Sequence, residues 1–333
     1  MNDRTALGAY GWDDRVAGAF SALPDSTRPV GEERIPGRVV RVERIHALVR
    51  TRAGEIAAGM PPDEALPAVG DWVTVDVSTD DHALILTRLE RRSVLTRRDP
   101  ENRRLEQVLA ANLDIVAIFA PIERLSLARV EREMLAAFES GAQPIVLLTK
   151  ADLAQDTETL LAEAERRLAS VQVILTSCKT GAGVDAVRDA LRPNRTAVFL
   201  GPSGAGKSSL ANEILGDDVL AVGEVRARDL RGRHTTTNRQ LVPVPGGGIL
   251  IDTPGIRSLG VWAGEEGLAA AFADIAALGE QCRFSDCRHD HEPDCAVLGA
   301  VDQGDLDAER LASSRKLSDE IDEEGAIQTK RRR

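Results

Sequence analysis

An apolar run, Thr196–Leu200, leads into Gly201-Pro202-Ser203-Gly204-Ala205-Gly206-Lys207-Ser208, and the helix-like SSLANEIL continues from it. The octapeptide fits G-x-x-x-x-G-K-[ST] at every fixed position and in the strand–loop–helix setting that the motif requires. Its glycines let the backbone curl until successive N–H groups face one point, and the helix that follows turns its positive end to the same point. Phosphate suits such a cradle. Lys207 reaches the β- and γ-phosphates, Ser208 ligates Mg²⁺, and Ser209 stands next to it. The loop needs a parallel sheet to hold it. Apolar runs at 114–120, 144–148 and 171–175 alternate with helix-like segments at 126–140 and 157–169. That alternation predicts parallel strands joined by crossover helices.

A second strand, 248–252, ends in Asp252-Thr-Pro-Gly255, 44 residues after Ser208. An aspartate there supports the Mg²⁺ shell, and the Gly255 N–H senses a γ-phosphate. Between the two lies Arg231-Gly-Arg-His234-Thr235-Thr236-Thr237, a polar loop. One of its threonines can ligate Mg²⁺ only while the γ-phosphate is present, which makes the loop a switch. The base is read elsewhere. Thr149-Lys150-Ala151-Asp152 ends the strand PIVLL and resembles the N-K-x-D element of GTP-binding proteins, with Thr149 where asparagine is usual. A carboxylate there accepts from guanine N1–H and N2–H₂, which adenine does not offer, and a site built for that pair rejects a ligand lacking it. The Thr149 hydroxyl is free to tie neighbouring loops together. Thr176-Ser-Cys-Lys179, at another strand end, is the partner loop.

The order of these parts is unusual, because base loop and partner precede the phosphate loop. They still assemble around one nucleotide if all of them lie at strand ends of one sheet. Downstream, Cys282-x₄-Cys287-x-His289-x₅-Cys295 supplies three thiolates and an imidazole. That donor set closes a tetrahedral structural Zn²⁺ site, with His291 competing for the fourth place by sequence alone. Cys178, far from the cluster, reads as an ordinary thiol.

Upstream, 37–43, 47–52, 71–77 and 83–89 read as short strands between turn-rich segments, which predicts a small SH3-like or OB-type barrel. The permuted order, the small barrel and the cysteine cluster together resemble the circularly permuted, ribosome small-subunit-dependent GTPases of bacteria, the RsgA or YjeQ family. The marks are GPSGAGKSS, GRHTTT, DTPGIR and the metal spacing, and the resemblance covers about 35–333. It implies a multidomain α/β protein: an OB-type barrel (35–98) behind an arm (1–34), a circularly permuted P-loop GTPase domain (99–262), and a zinc-binding helical domain with its tail (263–333). It implies GTP hydrolysis to GDP and phosphate, stimulated by the small ribosomal subunit during its late maturation. It also fits Ser177 to the base-contacting loop. Ile256 stands where Ras-like proteins place the glutamine that orients water. The resemblance and the local loop nominate His234 for that task, with Arg231 and Arg233 as further candidates for charge stabilisation.

The net charge of −11 argues against nucleic acid only in bulk, since residues 263–333 alone hold 17 acids against 9 bases. Local basic surface remains in Arg88, Arg91, Arg92, Arg97, Arg98, Arg103 and Arg104, with 330–333 as a second basic stretch. Trp72 is the only aromatic residue of 35–98, so rRNA recognition through backbone and shape is expected rather than base stacking. Residues 1–34 read either as a loose arm or as one docked through Tyr10, Trp12 and Phe20. No signal peptide or membrane-spanning run is read, and a monomeric cytoplasmic protein is expected. Two rival readings are a nucleotide-gated RNA-binding module in which hydrolysis is incidental, and a P-loop kinase, which lacks an evident acceptor pocket.

Overall fold

The computed structural model describes residues 3–24, 35–60, 67–77, 83–98, 106–216, 239–252 and 264–332. The arm forms α1 (Asp3–Leu7) and α2 (Asp14–Ser21), the second capped by the Asp13 carboxylate on the Val16 N–H. It is docked, the sharper of the two readings. Leu7 and Val16 are buried with Trp72 and Leu89, and Trp12 meets Trp72 edge-on at 5.3 Å.

Five strands follow: β1 (Ile35–Val42), β2 (His46–Thr51), β3 (Gly54–Gly59), β4 (Trp72–Asp76) and β5 (Ala83–Arg88). In β2 every second residue, Ala47, Val49 and Thr51, is buried, the period of a strand with one face on a core. The strands run β1-β2-β3-β5-β4 and close back from β4 to β1, with β3 and β5 parallel. This is the expected barrel, with one strand more than the sequence showed. Gly54–Gly59 is short of β-branched residues. It becomes a strand because the turn after Thr51 folds it back onto β2 residue for residue.

A hairpin, β6 (Val94–Arg98) with β7 (Glu106–Ala111), leads to the second body. There β8 (Ile115–Pro121), α3 (Leu127–Glu139), β9 (Gln143–Thr149), α4 (Thr157–Arg167), β10 (Gln172–Thr176), α5 (Val184–Leu191), β11 (Thr196–Leu200), α6 (Lys207–Leu215), β12 (Gln240–Pro243) and β13 (Ile249–Asp252) succeed one another. The strand order is β10-β9-β8-β11-β13-β12, parallel except for β12. Strand β8 is buried on both faces. Val116, Ile118 and Ala120 pack with α3 and α4, while Ile115, Ala117 and Phe119 pack with α5 and α6. Helices on both faces explain why its sequence is apolar without alternation. Strand β12 also pairs with β1, Gln240 opposite Arg41, so barrel and parallel sheet are continuous.

Helices α7 (Glu265–Ala271), α8 (Ala273–Gly279), α9 (Ala296–Gln303) and α10 (Ala308–Arg332) complete the chain around their own core of Phe272, Ile275, Val297 and Leu311. Among the described residues, no helix is long and apolar enough to cross a membrane. Several arginines of the basic stretch are used internally. Arg91 is paired with the fully buried Asp71 carboxylate at 2.7 Å, and Arg92 with Asp114 at 3.2 Å.

The barrel is joined to the phosphate-loop strand by Arg38, whose side chain is fully buried. Its guanidinium donates to the carbonyls of Tyr10, Gly70 and Asn112 and to Thr196 Oγ1, and lies over the Trp72 ring. Burial draws its pKa down to about 10, so it stays charged at neutral pH. Arg38→Met would take that donor from the half-buried Tyr10 carbonyl and from the buried carbonyls of Gly70 and Asn112, of which Gly70 keeps Asn112 Nδ2. The expected loss is about 3 kcal/mol of stability, read by urea unfolding, with barrel and sheet no longer melting together.

Candidate functional site

The apolar strand β11 delivers the chain to Gly201 at the sheet's C-terminal edge. Gly201 has φ +143°, and a Cβ there would sit 2.8 Å from the Phe119 carbonyl oxygen, so only glycine lets the loop pass β8 this closely. Gly206, φ +97°, turns the loop into α6 without a side-chain cap, which leaves the first N–H groups of the helix facing outward. Ser203, Gly204, Ser208 and Ser209 lie on the exposed side of this turn, while Ala205 is buried. Lys207 folds back over the loop, its Nζ donating to the carbonyls of Gly201 at 2.6 Å and Pro202 at 2.9 Å.

Strands β9 and β10 pair in parallel with Thr149 opposite Thr176, so the two loops that follow them emerge side by side. Lys150 takes φ +62° and starts a short 3-10 turn over Ala151–Leu153 that brings Asp152 toward the second loop. Ser177 Oγ donates to Asp152 Oδ1 at 2.7 Å, and Lys179 Nζ lies 3.6 Å from Oδ2. The Ser177 hydroxyl, with Lys179 adding to it, holds the Asp152 carboxyl below the usual aspartate range. The Ser177 N–H is engaged by the Ala182 carbonyl at 2.9 Å. Ser177 therefore serves the acid through its hydroxyl rather than offering its backbone to a ligand.

Base loop and phosphate loop meet. Thr149 Oγ1, buried, donates to the Ala205 carbonyl at 2.7 Å. A single cleft of about 320 Å³ is bounded by Thr149, Asp152 and Lys179 on one side and by Ala205, Gly206 and Ser209 on the other. Asp252 ends β13, the strand beside β11, so its backbone reaches the same edge. His234, Thr235, Thr236 and Gly255, with Arg231 and Arg233, lie outside the described residues. Two neighbours of the cleft carry no motif and escaped the sequence reading. Glu123 accepts from Lys150 Nζ at 2.6 Å, and Arg124 donates to the Ser203 carbonyl at 2.6 Å.

The second site lies between α8 and α9. One donor atom from each of Cys282, Cys287, His289 and Cys295 falls within 4.8 Å of the others. Cys282 and Cys295 Sγ are 3.8 Å apart, and His289 Nδ1 is 3.6 and 3.4 Å from them. A zinc tetrahedron with ordinary Zn–S and Zn–N bonds has edges of about 3.8 and 3.6 Å, so the donor set fits. His291 is exposed and turned to Asp290. His289, at φ +57°, is the imidazole in the cluster. Glu292 shapes the loop by accepting from the N–H groups of Arg288, Asp290 and His291, which lower its pKa to about 2.

Residues 88–262 match the sequence profile of the RsgA GTPase family. A Streptomyces coelicolor protein named small ribosomal subunit biogenesis GTPase RsgA is 45% identical over 326 residues, covering 95% of this chain and 87% of its own. One from Lactiplantibacillus plantarum, small ribosomal subunit biogenesis GTPase RsgA 2, is 41% identical over 310 residues, 90% of this chain and 87% of its own. Among solved structures, YjeQ from Thermotoga maritima superposes with a TM-score of 0.68 at 26% identity, over 87% of this chain and 99% of that one. YloQ, described as a circularly permuted GTPase, does so with a TM-score of 0.66 at 26% identity, over 89% and 98%.

Two changes probe the cleft. Thr149→Val keeps the shape and leaves the buried Ala205 carbonyl without its donor, so GDP affinity, followed by titration calorimetry, is expected to fall about tenfold. Ser177→Ala raises the pKa of Asp152 by removing its strongest partner. Wild-type affinity should stay flat from pH 7 down toward the ordinary aspartate range of ~4, while the variant's declines at a higher pH.

Proposed function

The chain belongs to the RsgA GTPase family and is a GTP hydrolase of small-ribosomal-subunit biogenesis, and on that premise we propose how its residues divide the work. One observation carries the reading: the Thr149–Ala205 hydrogen bond, which makes the base loop and the phosphate loop two walls of one cleft. Asp152, ionised and oriented by Ser177, accepts the two guanine N–H donors; Lys150 and Ala151 carry the loop. The N–H groups of 201–209 and Lys207 take the phosphates of GTP and then GDP. Ser208 and Thr236 would hold Mg²⁺, which would supply positive charge to the phosphates. Thr235, Asp252 and Gly255 complete the phosphate side. His234 orients the attacking water, the task that Ile256 is unable to perform.

The rest of the chain serves docking on the small subunit and its rRNA during late maturation, with turnover stimulated there and GDP formation releasing the protein. Trp72 is buried beneath the arm, which supports recognition by the barrel through backbone and shape rather than stacking. Cys282, Cys287, His289 and Cys295 would hold one structural Zn²⁺, since all four positions of the tetrahedron are protein donors. The division proposed is arm, barrel, nucleotide domain and metal domain at 34, 98 and 262, the cut at 98 falling between the two paired strands of the β6–β7 hairpin. The protein acts as a cytoplasmic monomer, where small subunits are assembled.

The test is GTP turnover with and without small subunits over a range of salt concentrations. Stimulation that weakens as salt rises is expected, because rRNA docking releases counterions; the absence of stimulation at every salt would refute the ribosomal coupling. His234→Ala should lower the stimulated rate about a hundredfold, and an unchanged rate removes His234 from the mechanism. Purified protein should carry one equivalent of zinc by atomic absorption. Cys295→Ser should lose it, together with the cooperative melting of 264–332.

A further inference from the structure

Glu123 and Arg124 are neighbours in a 3-10 turn, Ile122–Arg124, between β8 and α3. Their side chains grip opposite walls of the cleft. Glu123 takes Lys150 of the base loop, and Arg124 takes Ser203 of the phosphate loop, each at 2.6 Å. Neither residue belongs to a nucleotide motif.

A phosphate loop works because its N–H groups turn inward, which obliges its carbonyls to turn outward. In this chain several of the loop's carbonyls are taken by side chains. Lys207 takes those of Gly201 and Pro202, Thr149 takes that of Ala205, and Arg124 takes that of Ser203. Arg124 is the one donor in this set that comes from outside both loops' motifs. A separate feature agrees. Gly204 has φ +74°, and a Cβ built there would lie 3.3 Å from Arg124 Nη2, so the guanidinium lies directly against the loop's middle glycine.

We propose that Arg124 is a positioning residue for the phosphate chain: by holding the Ser203 carbonyl outward it keeps the adjoining N–H groups aimed at the β-phosphate, and Glu123 ties that geometry to the base loop through Lys150. The proposal rests on the guanine-nucleotide reading of the cleft. The guanidinium's planar fork suits a fixed carbonyl better than an ammonium on a flexible stem, so lysine is a partial substitute.

The experiment uses the full chain and displaces a fluorescent GDP analogue with GTP, GDP, GMP and ATP. In the wild type, GTP should displace far better than ATP; if it does not, the guanine reading fails before any variant is considered. Arg124→Ala should weaken GDP and GTP about tenfold while GMP, which lacks the β-phosphate, stays within about twofold. KM for GTP should rise more than kcat falls, and Arg124→Lys should recover part of the loss. Arg124 is exposed, so the variants' melting curves should match the wild type. GDP and GTP affinities unchanged in Arg124→Ala would overturn the proposal. So would a loss for GMP equal to that for GDP, which would mean general loosening of the cleft.

Discussion

The nucleotide cleft depends on one buried contact, the Thr149 hydroxyl on the Ala205 carbonyl, between residues 56 apart in sequence. A hydrogen bond closed off from water has no solvent competitor, and leaving the carbonyl unpaired carries the full desolvation cost. The contact is therefore worth more to the geometry than its single bond suggests. It is possible because a parallel sheet gathers the C-terminal ends of all its strands at one edge. At that edge the order in which the chain visits the strands has no bearing on which loops meet. A base loop that precedes the phosphate loop in sequence still faces it in space. Threonine in place of asparagine is short, yet its hydroxyl suffices for this tie. Asp152 is left to be oriented by Ser177 instead.

Two buried arginines hold the nucleotide domain to its neighbours. Arg38 connects arm, barrel and hairpin to Thr196, the first residue of the strand that carries the phosphate loop. On the other side Arg310, almost fully buried, donates to both oxygens of Asp274 and to the carbonyls of Arg167 and Ala271. Arg167 in turn pairs with Glu131 of α3. A guanidinium has five donors in a rigid plane, so one side chain satisfies several carbonyls from different elements at once. Barrel and helical domain are thereby fixed on the nucleotide domain through backbone groups.

The parts legible beforehand were those whose chemistry is local. The glycines at 201, 204 and 206 need positive φ, and the spacing of Cys282, Cys287, His289 and Cys295 suits a single ion; both constraints are written within a few residues. The strands β8, β9 and β11 were readable because burial on two faces leaves long apolar runs. What escaped was non-local. β3 has a weak strand composition and exists because β2 pairs with it. Arg91, apparently a surface base, is spent on the buried Asp71. Glu123 and Arg124 look like ordinary turn residues until the loops they hold are seen on either side.

By itself, then, the chain's sequence showed which chemical groups are available: a glycine-rich loop between strand and helix, a carboxylate at a strand end, a cluster of soft donors, and the permuted order of the first two. Tertiary structure alone decided that cradle and carboxylate face each other across one cleft and that Arg38 locks barrel to sheet. The reason is physical. Backbone conformation and ligand spacing are properties of neighbouring residues. Which groups from distant segments come within hydrogen-bonding distance depends on strand order in the sheet and on packing, and local residues do not encode that one by one.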